Sequence, residues 1–442
     1  FTSTKQDKPN IIIITSDSLR ADHLGIYGYP YNTSPNIDNF AKDATLFKNA
    51  YSQAPWTIPS AGTLYTSLYP KVHNFYIVQH KEQVLAVNRQ VSFLHNQLES
   101  YGYTTALIAG NIVLELFSDK YLPKEYSFDT VLVSENDFSW NSSNMTEAAI
   151  NHIEQIKNKG PFFINLWYMD PHSPYAPSEE FNIFNHTQYT NKTIEENYNI
   201  NKYDGEILST DTSIGTFLAY LKENNLYDNS LILFIADHGE QFGEHGEYEH
   251  GNTVREVETH VPFILKLPKN SKYKLNKIEE KPVGLIDIYP TILDILRIEY
   301  PEYIQGRSIF DILNDKEKTY VFSELADTID LGNDNYIYRE EYSLVNTILN
   351  SLVVGYVRVL NSSDEGTLEE TPGRIIELKL KGKPTPIIEI QNYKDIYDEF
   401  SSNLVSHNEK NLILLQNLSE SIKEVSISRD TLEKMKALGY LQ

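Results

Sequence analysis

The sequence predicts an α/β protein in which helices flank a large, mostly parallel sheet and a smaller C-terminal α+β part carries an antiparallel sheet. Three observations carry this prediction. Four long apolar runs each end in polar residues, helix-like segments separate the runs, and beyond about Lys316 the chain changes to strand patterns with Gly, Asn and Asp between them. Continuous β-branched and aromatic runs suit strands covered on both faces, and strand–helix alternation marks a parallel sheet.

In chain order the runs are "NIIIITSDS" (Asn10–Ser18), "TTALIAGN" (Thr104–Asn111), "PFFINLWYMDPH" (Pro161–His172) and "SLILFIADHGE" (Ser230–Glu240). Between them "PNIDNFAKDA", "QVSFLHNQLESYG", "NMTEAAINHIEQIKNKG" and "YDGEILSTDTSIGTFLAYLKENN" read as helices. The stretch "VGLIDIYPTILDILRI" (Val283–Ile298) reads as a helix closing the large sheet. After it "TYVFSELAD", "YSLVNTILN", "SLVVGYVRVL" and "RIIELKL" read as strands, and "EKNLILLQNLSESIKEVS" and "RDTLEKMKALGYL" as helices. With no repeats and no long linker, the expected division is 8–315 and 316–442, the second part docked on the first.

Composition narrows the function. The 442 residues carry a formal charge of −23, which repels phosphate backbones, so nucleic acid is excluded as a partner and a small anionic substrate needs local cations. A bound metal supplies them economically. The absence of cysteine removes disulfides, thiolate zinc sites and cysteine nucleophiles. No apolar run approaches the ~20 residues of a membrane span. A chain starting at a polar "FTSTKQDKPN" reads as trimmed, and an exported or cell-surface location is expected ahead of a cytoplasmic one.

In open α/β sheets ligands sit at the carboxyl ends of the strands. Those ends here carry Asp17 and Ser18, Asn111, Asp170 and His172, and Asp237 with His238. Asp17, Asp237 and His238 make a carboxylate–imidazole set suited to one divalent ion, with Mn, Zn, Ca and Mg all open. Thr57, in "APWTIPSAGTLYTSLYP", stands where Pro59 opens a helix. It reads either as that helix's cap or as a hydroxyl held at the positive helix end and ionised by the metal it binds.

The stretches around these residues resemble the sulfatases and related members of the alkaline phosphatase superfamily. The resemblance rests on the N-terminal stretch from "PNIIIITSDS" to "TIPSAGTLYTSLYP", on "PFFINLWYMDPHSPYAPSEEF", on "LILFIADHGEQFGEHGEYEHGNTVREVETHVPFIL" and on "IYDEFSSNLVSHNEKNL", in family order from roughly Pro9 to Leu412. It implies an alkaline-phosphatase-like sandwich. It also implies metal positions at Asp17, Asp237 and His238, the nucleophile at Thr57, a substrate-contacting His172, and His250 at the group that holds the anionic head or protonates the leaving oxygen. Ser18 falls where many sulfatases carry another metal-binding aspartate, and Asn111 where many carry a lysine. Both are expected at the substrate. The family's C/S-x-P-S-R motif, whose first residue is oxidised to formylglycine, is matched by Thr57-Ile58-Pro59-Ser60-Ala61. Threonine cannot give that aldehyde, and Ala61 replaces the arginine.

The expectation is therefore a metal-dependent hydrolase or transferase of a phosphodiester, phosphonate ester or phospho-head group through Thr57. The alternatives are a sulfuric ester hydrolase on sulfated carbohydrate without formylglycine, and a catalytically silent binder of anionic glycan or lipid head groups. The oligomeric state is not readable from the sequence.

Overall fold

The computed structural model describes residues 8–78, 83–88, 91–134, 140–186, 194–244, 246–316, 320–332, 335–348, 351–362, 374–380, 383–385, 402–403, 406–414 and 422–426. Its centre is an eight-stranded sheet. In chain order the strands are β1 (Asn10–Ser16), β2 (Thr45–Phe47), β3 (Thr104–Ala109), β4 (Thr130–Val133), β5 (Phe162–Tyr168), β6 (Ser230–Ala236), β7 (Phe263–Lys266) and β8 (Ile278–Glu279). They lie side by side as β8-β2-β7-β6-β1-β5-β3-β4. Only β7 runs against its neighbours β6 and β2; the remaining pairings are parallel. The four runs read from the sequence are β1, β3, β5 and β6, and every residue of β1, β5 and β6 is buried. Burial on both faces removes the alternation of polar and apolar residues and leaves uninterrupted Ile, Leu and Phe.

Helices cover the sheet: α1 (Pro35–Phe40), α2 (Thr57–Thr66), α3 (Ser142–Ile156), α4 (Ile194–Glu223) and α5 (Ile288–Leu296). Ile11 to Ile14, Leu107, Ile164, Trp167, Phe234, Ile58, Leu64 and Ile292 belong to one buried core between the layers. No helix among the described residues is long and apolar enough to cross a membrane.

A second sheet of five antiparallel strands follows: β9 (Tyr320–Gly332), β10 (Asn335–Ile348), β11 (Ser351–Ser362), β12 (Arg374–Leu380) and β13 (Lys383–Thr385). It is the antiparallel sheet read from the sequence.

Two expectations are corrected. The 283–298 stretch is a helix only from Ile288; Val283 and Gly284 pair with Ala50 and Tyr51, and a single 3-10 turn separates pairing from helix. In the stretch from Glu409 to Ser426, residues 406–414 are helical, but Ile422–Ser426 is a strand paired with Gln83–Asn88. Backbone pairing to a distant segment overrides the local helical pattern there. The helix expected at "RDTLEKMKALGYL" lies outside the described residues.

Candidate active site

The register sets the site. Ser16 of β1 is level with Tyr168 of β5 and Ala236 of β6, and Ala109 of β3 is level with Trp167. Four strands thus end almost flush, and the first polar residues beyond them meet in one place. Ser18 takes a left-handed backbone conformation (φ 56°), which turns the chain directly after Asp17. Its backbone N–H donates to Asp237 Oδ1 at 3.1 Å, and its carbonyl accepts from Tyr203 Oη at 2.7 Å.

Asp17, Asp237 and His238 converge, fully buried, with one ligand atom from each within 4.8 Å of the others. His238 Nε2 lies 3.5 Å from Asp17 Oδ1 and 3.3 Å from Asp237 Oδ2. Donors held about 2.1 Å from one ion stand about 3.4 Å apart at the corners of a tetrahedron, so these separations fit a shared cation. Two further observations agree. Asp237 Oδ2 is buried without a hydrogen bond. The His238 Nδ1–H donates to the Gly239 carbonyl at 2.9 Å, leaving Nε2 with a lone pair aimed at the carboxylates. Burial and the charge of Asp17 push the Asp237 carboxyl well above its ordinary range. Burial, then the neighbouring His250, hold His238 neutral, far below an ordinary histidine. A cation would relieve all of this. The donor set of hard oxygens and one imidazole fits a divalent ion.

Thr57 is the first residue of α2, and the cap position belongs to Trp56, whose side chain makes no cap hydrogen bond. The Thr57 hydroxyl, fully buried, donates to His238 Nε2 at 3.3 Å. All ten residues of α2 are buried, and Ser60 Oγ ties the helix to the β6 end by donating to the Asp237 carbonyl at 2.7 Å.

Ser18 and Asn111 both point at the metal-side carboxylate. Ser18 Oγ donates to Asp17 Oδ1 at 3.1 Å and Asn111 Nδ2 to Asp17 Oδ2 at 2.9 Å. Asn111 Oδ1 also caps the turn after β3 by accepting from the Val113 N–H. Trp167 Nε1, hidden in an apolar run and missed in the sequence, adds a further donor to Asp17 Oδ2 at 3.2 Å.

His172 and His250 stand beside this group: the ring centroids of His250 and His238 are 4.3 Å apart, and those of His172 and His250 are 4.9 Å apart. His172 Nδ1 donates to the Ser173 carbonyl at 2.6 Å, and burial lowers its proton affinity. His250 Nδ1 faces Glu240 Oε1 at 3.3 Å. Burial opposes a charge on His250, but Glu240, with Asp17 and Glu249, together outweigh it and the pKa rises above the usual value. Glu240 was not singled out in the sequence. It meets His250 because Gln241–Phe242 and Tyr248–Glu249 pair as a small hairpin. Glu258 seats the loop beyond, accepting from the N–H groups of Gly251 at 2.7 Å and Thr253 at 3.2 Å.

Asp170 is not at the metal group. Its carboxylate accepts from Ser142 N at 3.0 Å and Ser209 Oγ at 3.1 Å beside a neighbouring cavity. His23 pairs with Asp204 and His73 with Thr63; His245 lies outside the described residues.

Comparison with known proteins supplies relatives for this fold. The family model described as Sulfatase matches residues 9–298. An arylsulfatase of Clostridium perfringens is 26% identical over 388 residues, covering 71% of this chain and 80% of that protein. A structure from Bacteroides fragilis, described as a candidate sulfatase, has a TM-score of 0.72 at 20% identity and covers 95% of this chain and 99% of its own. The phosphonate monoester hydrolase of Agrobacterium radiobacter has a TM-score of 0.67 at 16% identity, with 91% and 96% covered. With the alkaline-phosphatase-like sheet and the match from residue 9 to 298, the chain belongs to the sulfatase family of hydrolases.

Proposed function

We propose that this chain is a metal-dependent esterase or transferase that acts on a phosphodiester or phosphonate ester with Thr57 as nucleophile. The observation that carries the reading is the placement of Thr57 Oγ1, 3.3 Å from His238 Nε2 at the first turn of α2. A divalent ion held by Asp17, Asp237 and His238 would favour the ionised Thr57 hydroxyl and neutralise charge on the phosphoryl oxygens.

The chain's own groups do the rest. The Thr57 proton leaves to solvent, and its Oγ forms a bond to phosphorus as the bond to the leaving oxygen breaks. The positive N-terminal end of α2 favours the anion. His250, kept protonated by Glu240, gives its Nε2 proton to the departing oxygen. Neutral again, it takes a proton from water, or from an acceptor alcohol, whose oxygen then displaces Thr57 from phosphorus. His172, with Nδ1–H committed to Ser173, offers a lone pair at Nε2 and contacts an anionic oxygen as a donor only once the incoming charge has raised its proton affinity.

A second reading, sulfate-ester hydrolysis without formylglycine, is favoured by the arylsulfatase relative. One panel separates them: aryl diester, phosphonate and sulfate substrates, each with Mn²⁺, Zn²⁺, Mg²⁺ and Ca²⁺. Diester or phosphonate turnover is expected to lead. Thr57→Ala should cost at least about a thousandfold in kcat, with Thr57→Ser keeping part of it. Wild-type turnover in Thr57→Ala overturns the mechanism, and sulfate turnover above diester turnover transfers the site to the second reading.

A further inference from the structure

Arg20 stands three residues beyond Asp17, where β1 has ended and the chain has turned at Ser18. Its backbone is clamped there: the Arg20 N–H donates to Tyr203 Oη at 2.9 Å, and that hydroxyl donates on to the Ser18 carbonyl. The side chain, only 5% exposed, leaves this turn for a different part of the site. Nε and Nη2 grip the Asp22 carboxylate at 2.9 and 2.8 Å, which fixes the plane of the guanidinium. Nη1 then faces the hairpin, where it donates to the Glu240 carbonyl at 3.1 Å and to Glu244 Oε1 at 2.6 Å. Arg20 thus joins the strand that delivers Asp17 to the hairpin that brings Glu240 and His250 together.

The hairpin needs such a tie. Its ladder is only Gln241–Phe242 against Tyr248–Glu249, and a two-stranded ribbon of that size does not hold itself in water. Asp17, Asp237 and His238 are placed differently, by the ends of β1 and β6 inside the eight-stranded sheet. Loss of the guanidinium therefore loosens the His250 side of the site and leaves the metal side seated. The task calls for a fork, since one cation must hold Asp22 in two bonds and reach two hairpin oxygens at once. The compact ammonium of a lysine cannot do both.

We propose that Arg20 is a positioning residue that sets the distance of His250 from the leaving oxygen. The proposal rests on the reading of His250 as the acid, and its test separates the two. The assay pairs 4-nitrophenyl with phenyl esters, phosphonate, diester or sulfate according to which the panel above shows to turn over. A 4-nitrophenolate departs with little help from a proton, whereas phenolate needs it. Arg20→Met is expected to lower kcat/KM for the phenyl ester about tenfold more than for the 4-nitrophenyl ester. His250→Ala should show selectivity of the same sense, and the double variant should be no more selective than His250→Ala alone. Equal losses on both esters in Arg20→Met, with His250→Ala selective, overturn the proposal and spare the acid. Equal losses in His250→Ala overturn the acid, and the proposal with it. Should Arg20→Met fail to fold, Glu244→Gln replaces it, a change at a side chain 24% exposed that weakens one of the two hairpin anchors. A shift of about threefold or more in the same ratio then supports the proposal, and an unchanged ratio counts against it.

Discussion

Glu240 contributes no metal ligand, yet several parts of the site hang on it. One carboxylate oxygen faces His250, the other accepts from Tyr175 at 2.7 Å, and its carbonyl accepts from Arg20 Nη1 at 3.1 Å. Its charge, with those of Asp17 and Glu249, raises the proton affinity of His250 against burial. The sign follows. A histidine with a raised pKa is fully protonated below its ordinary value and loses the proton as pH rises through the raised one, so acid catalysis by His250 fades on the alkaline side. Glu240→Gln should slide the alkaline limb of kcat/KM against pH towards lower pH. A limb that stays in place would rule out His250 as the acid. At this scale the sequence exposed Asp17, Asp237, His238 and Thr57, because polar residues at the ends of apolar runs stand out. It hid Glu240 and Trp167: an acid two residues past a histidine gives no local signal, and an indole inside a buried run looks like core.

Among the elements, long strands covered on both faces were legible, while short ones were not. β2 and β7, three and four residues long, carry too few positions to show a period. The strand at Ile422–Ser426 owes its state to Gln83–Asn88, far away in sequence. The turn leaving β6 is the element on which most converges, since it delivers Asp237, His238 and Glu240 in succession. Gly239 makes that possible. Its N–H donates to the Glu258 carbonyl at 2.7 Å, and a Cβ there would lie 2.1 Å from the Val257 carbonyl oxygen. Gly239→Ala must push the 257–258 backbone away, and a loss of about 1–3 kcal/mol in stability is expected together with a fall in turnover. Thermal melts and kcat check both; an unchanged melt would mean that the 257–258 segment yields freely.

Across the whole molecule the second sheet touches the site's own foundation. Ser323 Oγ donates to the Ser52 carbonyl at 2.5 Å and the Glu324 N–H to the Gln53 carbonyl at 2.9 Å, a few residues before Thr57. The Glu324 carboxylate accepts from the Lys71 N–H at 3.1 Å, His407 Nε2 at 2.6 Å and Asn411 Nδ2 at 2.8 Å. That an antiparallel sheet follows the parallel one was legible from the change of pattern. Where it lands was not, because contacts between distant segments leave no periodic trace. The unserved oxygen of Asp237 has a consequence at this scale too. Two carboxylates buried side by side oppose folding, whereas a cation seated between them binds only the folded chain, so the melting temperature becomes a titration curve for the ion. Beyond saturation each tenfold rise in free metal should add about 1.4 kcal/mol of stability, and a chelator should remove it. Differential scanning calorimetry in graded Mn²⁺ or Zn²⁺ reads this directly. Asp237→Asn, having lost a charge as well as a ligand, should melt higher than the wild type in chelator and no longer respond to the metal.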